Sequence, residues 1–165
     1  MFSLEIETLA RLVLDDARER QLRIVTAESC TGGLVAAALI AIPGASDVFE
    51  RGFVAYTNRA KQELLGISGD ILADLGAVSE PVARMMAEGA LENSHAHLSV
   101  AITGIAGPDG GTAMKPVGTV HFATARTNES LRHRMEMFDL DNRGEIQMAS
   151  VQTALEKLRE RLAQP

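Results

Sequence analysis

Residues 22–44 read LRIVTAESCTGGLVAAALIAIPG, and the succession of residue types in this stretch decides the architecture. LRIVTA is a short, apolar, β-branched run with the composition of a strand. GLVAAALIAI is alanine-rich and halts at Pro43 and Gly44, as a helix does. Between them lies ESCTGG, a polar turn. Strand, turn and helix in that order form the repeating unit of α/β domains. The polar residues then fall at the carboxyl end of a strand, where such sheets gather ligands.

Working outward, residues 4–20 place Leu9, Leu12, Val13 and Ala17 at helical spacing with charges between them, an amphipathic helix. Downstream, Ser46-Asp47 suits a short turn, and residues 48–56, VFERGFVAY, read as a strand interrupted by Gly52. Asn58 reads as the N-cap of a helix RAKQELLG that ends at a glycine. Residues 71–75 form a brief helical turn, and Ser79 ahead of Glu80 and Pro81 opens a helix that runs to residue 92. HLSVAIT and VGTVHFATA are strands separated by the glycine-rich TGIAGPDGGTAMKP. LRHRMEMFDL alternates as a third strand, and residues 142–162 form a long amphipathic helix. With no linker, repeat or composition shift, residues 1–165 make one domain. The expected fold is α/β, a three-layer α/β/α sandwich around a mixed, mostly parallel sheet.

Composition narrows the function. A chain of 165 residues buries about 70% of its unfolded surface, enough for a core that needs neither disulfide nor metal. The net charge of −6, the absence of tryptophan and the single tyrosine do not suit a surface that neutralises phosphates and stacks bases, so nucleic acid is not an expected partner. The apolar residues 33–42 are half of what a bilayer span requires, so no membrane association is expected. One cysteine, Cys30, cannot form an internal disulfide, and the amino terminus has no signal-peptide pattern. The expected compartment is cytoplasmic.

Several polar residues have two readings. Ser29 sits where a strand-to-helix turn would aim it at unpaired N–H groups, and Gly32 and Gly33 would let a substrate approach the backbone; equally, Ser29 or Thr31 caps the following helix. Cys30 is a rival nucleophile or a packed core thiol, and packing is the commoner fate of a free cysteine. None of His95, His97, His121 and His133 lies in a polar loop after a strand, so a serine nucleophile finds its base elsewhere. Lys61, in the first turn of its helix, is that base if burial and the helix end depress its pKa; otherwise it is a solvated surface lysine. Tyr56 is a proton relay or a ring with a wet tip. The loop holding Thr103, Gly104, Gly107 and Asp109 wraps a phosphate or ribose, or is a long turn, and Arg143 is an anion clamp or an exposed arginine.

Taken together, AESCTGG, IPGASDVFERGFVAYTNRAK, GAVSEPVARMMAEGA, TGIAGPDGGTAMKPVGTV and NRGEI closely resemble the CinA C-terminal domain family, also known as PncC, over residues 6–162. The resemblance implies an amidohydrolase that converts nicotinamide mononucleotide and water to nicotinic acid mononucleotide and ammonia. It implies no metal, no cofactor and a homo-oligomer. It also implies Ser29 as nucleophile, Lys61 as base with Tyr56 beside them, and Ser46, Asn58, Thr103 and Arg143 as further pocket positions. The N–H groups of residues 31–33 would then face the oxyanion, while Arg143 and the loop of residues 103–111 would face the substrate phosphate. Many relatives carry a preceding molybdopterin-binding-like domain, which is not expected here. Where the family often has Gly-Asp-Arg followed by a second arginine, this chain has Asp141-Asn142-Arg143 and Gln147.

Overall fold

The computed structural model describes residues 1–164. Its first helix, α1 (Leu4–Glu19), begins where the Ser3 side chain accepts from Ile6 N and buries Ile6, Ala10, Val13, Leu14 and Ala17 along one stripe. Next come β1 (Ile24–Glu28), α2 (Leu34–Ile40), a 3₁₀ turn (Ala45–Asp47) and β2 (Phe49–Val54). Three helices follow, α3 (Asn58–Leu65), α4 (Gly69–Leu75) and α5 (Glu80–Glu92). The chain then lays down β3 (Leu98–Gly104), β4 (Thr119–Arg126) and β5 (Arg132–Met137), and closes with α6 (Arg143–Leu162).

The five strands form one sheet in the order β2-β1-β3-β4-β5. β1 pairs in parallel with β2 on one side and β3 on the other, while β4 runs antiparallel to both β3 and β5. Four strands therefore share a direction and β4 opposes them, the mixed sheet expected of the pattern. All five β1 residues are buried, because helices cover both faces and a strand lies on each side. Ile6, Leu14, Val35, Leu39, Val151 and Leu155 belong to the core beneath α1, α2 and α6. Val82, Met86, Ala87, Leu65 and Leu72 fill the opposite layer, beneath α3, α4 and α5. The domain is a three-layer α/β sandwich.

Two local expectations change. The cap of α3 is Thr57, whose hydroxyl accepts from Ala60 N; Asn58 is the first helical residue. Thr57 and Asn58 are both good caps, and only the extended backbone of Thr57 fits the role. α2 starts later than expected and has Gly33, in the left-handed region, at its cap position with no side-chain cap bond. No helix among the described residues is long and apolar enough to cross a membrane.

Candidate active site

The carboxyl ends of β1, β2 and β3 lie side by side, so the loops that follow them converge. β1 connects onward to β2 on its one side while β3 lies on its other, the switch point at which open α/β sheets leave a crevice. A cavity of about 320 Å³ opens there, bordered by Ser29 after β1, Tyr56 and Lys61 after β2, Thr103 and Gly104 at the end of β3, residues 105–107 and Asp109 beyond it, and Arg143 at the start of α6. Its volume lies at the lower end of the range for small-molecule sites.

At the floor, Lys61 Nζ lies 2.9 Å from Ser29 Oγ. The same nitrogen is 3.0 Å from Ala55 O and 3.1 Å from Tyr56 O. Lys61 is only 1% exposed, which discards the surface-lysine reading, and desolvation pushes its pKa below the ordinary lysine range. An ammonium would serve all three acceptors. A neutral amine has two hydrogens for the two carbonyls and one lone pair left for the Ser29 hydroxyl. The geometry suits both protonation states, so the proton can be passed without moving a heavy atom.

The turn bearing Ser29 is organised by a residue that sequence reasoning passed over. Glu28, 1% exposed, accepts from Thr31 Oγ1 at 2.7 Å, Val35 N at 2.9 Å and Ala36 N at 3.0 Å. The first turn of α2 is thus already occupied by a carboxylate and is not open to a ligand. Gly32 N donates to Ser29 O. Thr31 is fully buried, and Thr31, Gly32 and Gly33 do not border the cavity, whereas Cys30 does. The expectation that residues 31–33 face the reacting atoms is therefore corrected, because Glu28 draws the turn down onto the helix. An acid ending an otherwise apolar strand, just ahead of the serine, was the available signal.

Cys30 is buried with the core beneath α1 and α6. Its thiol is pushed up to about 12, first by desolvation, so a thiolate is strongly disfavoured. Tyr56 is 60% exposed and its phenol oxygen accepts from Arg143 Nη2 at 3.2 Å; its carbonyl, not its ring, orients Lys61. Arg143 Nη1 donates to Gly107 O at 2.7 Å. Asn142, one of the departures from the family pattern, caps α6 by accepting from Glu145 N. Gln147, the other, donates from Nε2 to Cys30 O at 3.1 Å. Thr103 Oγ1 donates to Ala77 O. At Gly107, with φ +79°, a Cβ would stand 2.6 Å from Val117 Cγ1, so glycine is required for the loop to close over the cavity.

Two named positions lie apart. Ser46 is exposed and borders a different hollow with Ile40, Ile42 and Phe49, beyond the far end of α2. Asn58 starts α3 without bordering the cavity. The histidines are also elsewhere: His121 Nδ1 and His133 Nε2 are 2.9 Å apart on β4 and β5, and His97 Nδ1 accepts from Arg23 N. Among the described residues no group of three or more His, Cys, Asp or Glu side chains is placed to hold a metal.

The family model described as the CinA C-terminal domain matches residues 6–162. This chain belongs to the CinA C-terminal domain family. Among its CinA relatives, a CinA-like protein of Prochlorococcus marinus (strain MIT 9313) is 50% identical over 153 residues, covering 93% of this chain and 36% of the relative. A putative competence-damage inducible protein of Symbiobacterium thermophilum is 55% identical over 125 residues, 76% of this chain and 29% of that one. The chain thus spans about a third of the length of these relatives. Among solved CinA structures, competence/damage inducible protein CihA from Agrobacterium tumefaciens superposes with a TM-score of 0.95 at 50% identity, over 99% of each chain. Competence damage-inducible protein A (ComA) from Klebsiella pneumoniae gives a TM-score of 0.91 at 34% identity, over 96% of this chain and 97% of that one.

Proposed function

We propose that this chain is a nicotinamide mononucleotide amidohydrolase, with Ser29 as nucleophile and Lys61 as general base. The observation that carries the reading is the buried Lys61 amine 2.9 Å from the Ser29 hydroxyl at the floor of an open cavity. Lys61 takes the hydroxyl proton as Ser29 Oγ attacks the carboxamide carbon, giving a tetrahedral oxyanion. Cys30 follows the nucleophile and borders the cavity, and its amide N–H is the donor we assign to that oxyanion. Collapse expels ammonia, which leaves with the proton carried by Lys61. Water, deprotonated by the same amine, then hydrolyses the Ser29 ester and releases the carboxylate.

The substrate phosphate is close to doubly charged at neutral pH and needs a cation. Arg143, which borders the cavity at the start of α6, is the cation of its wall besides Lys61, and its bonds to Gly107 O and Tyr56 hold it there. Binding at this remote group positions the amide.

The deciding experiment measures ammonia release from nicotinamide mononucleotide by wild type and by Ser29→Ala. Turnover in the wild type and its loss in the variant are expected. Binding of the nucleotide without ammonia release would make the chain a nucleotide-binding module instead. Nicotinamide riboside, lacking the phosphate, is expected to turn over far more slowly, and equal rates would remove the role given to Arg143.

A further inference from the structure

Glu28 is the only buried carboxylate among the described residues, at 1% exposure. A carboxylate in such a place is costly unless hydrogen bonds replace its water. Its three side-chain partners, Thr31 Oγ1, Val35 N and Ala36 N, all lie in the turn after Ser29 or the first turn of α2. Gly33 at the cap position provides no side chain for that task. Meanwhile the main-chain oxygen of Glu28 accepts from Ala55 N at 2.9 Å, and Ala55 O is one of the two carbonyls that orient Lys61.

We infer that Glu28 is the positioning residue of the Ser29–Lys61 pair: its carboxylate fixes the nucleophile turn while its carbonyl fixes the segment that aims the amine. This rests on the amidohydrolase reading of that pair. A neutral cap further along the turn would hold α2 but would not index Ser29 against the end of β2. Glu28 touches no reacting atom, and it acts through the geometry of the two residues that do. Its charge has a second effect, since it adds to the burial that keeps Cys30, two residues on, protonated, leaving the hydroxyl as the group the amine can activate.

The test is Glu28→Gln, which preserves volume but sets an NH₂ donor where one carboxylate oxygen accepted. Three readouts are taken on folded protein: the thermal midpoint, the rate at which a fluorophosphonate probe labels Ser29, and kcat and KM for ammonia release. Labelling and kcat are expected to fall together by about 10²-fold, the cost of a misplaced reacting group, with KM little changed. Thr31→Val removes a single donor and should give a smaller loss in the same direction; it decides the matter if Glu28→Gln does not fold. Wild-type labelling rates in the folded variant overturn the inference and leave the amidohydrolase reading standing. A wild type that neither labels at Ser29 nor releases ammonia overturns that reading, and this inference with it. Labelling of wild type without ammonia release removes only the substrate assignment, and the labelling rates still decide the role of Glu28.

Discussion

Lys61 shows how a single side chain changes meaning with its surroundings. Its spacing in NRAKQELL placed it on a helix, as a base or a surface lysine, while its burial against Ser29, Ala55 and Tyr56 gives it the contact that the proposed base requires. Burial lowers its pKa in the folded state. Between that lowered value and the ordinary lysine range, the unfolded chain therefore holds the extra proton, and folding stability rises with pH across the window. Thermal midpoints of wild type and Lys61→Met, measured through the lysine range, should show wild type gaining on the variant as pH rises. A pH-independent difference would mean that Lys61 is not depressed. Activity should rise with pH to a midpoint below the ordinary lysine value, read from kcat/KM profiles. Cys30 behaves oppositely: with its thiol at about 12, it should resist iodoacetamide at pH 8 in native protein, and Cys30→Ala should keep its turnover. Rapid alkylation with loss of activity would move the nucleophile to sulfur. Ser29 was legible as a candidate because a polar turn between strand and helix either caps the helix or faces a ligand, and both readings single out its hydroxyl. Glu28 was legible only as an acid closing an apolar strand; that it is buried and accepts from Thr31, Val35 and Ala36 follows from the packing.

At the scale of elements, periodicity carried the reading wherever one face meets the core. α1, α5 and α6 follow their apolar stripes, and the glycine-rich segment after β3 is a loop. Caps were harder, since Thr57 and Asn58 are chemically interchangeable until the backbone angles are known. The α2 cap was illegible because the acceptor comes from a carboxylate seven residues before Val35, outside any local capping pattern. One packing contact invites a test: a Cβ at Gly89 of α5 would stand 2.1 Å from Leu65 O at the end of α3. Gly89→Ala improves helix propensity yet should destabilise by about 1–3 kcal/mol, because backbone must shift to admit the methyl. Chemical denaturation measures this, and a stabilised variant would mean that the α3–α5 approach is looser than it stands here.

Across the whole molecule, the sheet divides two cores that do not share side chains. Val151 of α6 lies in one and Val82 of α5 in the other, both fully buried. Val151→Ala and Val82→Ala should each cost about 2 kcal/mol. In the double variant the costs should sum to within about 0.5 kcal/mol, as expected of sites with no common partner. A larger departure, measured by denaturant titration, would show that the sheet transmits repacking between layers. The alternation of strands and helices, the family and the polar turn that carries Ser29 were all written in the order of residues, because these follow from local periodicity, turn chemistry and motif order. That Lys61 meets Ser29 across 32 positions of chain, that Glu28 bonds to the segments of both, and that Ser46 stands apart came only with packing. Such meetings depend on which strands become neighbours, and burial, the quantity that sets a side chain's charge, exists only once the layers have closed.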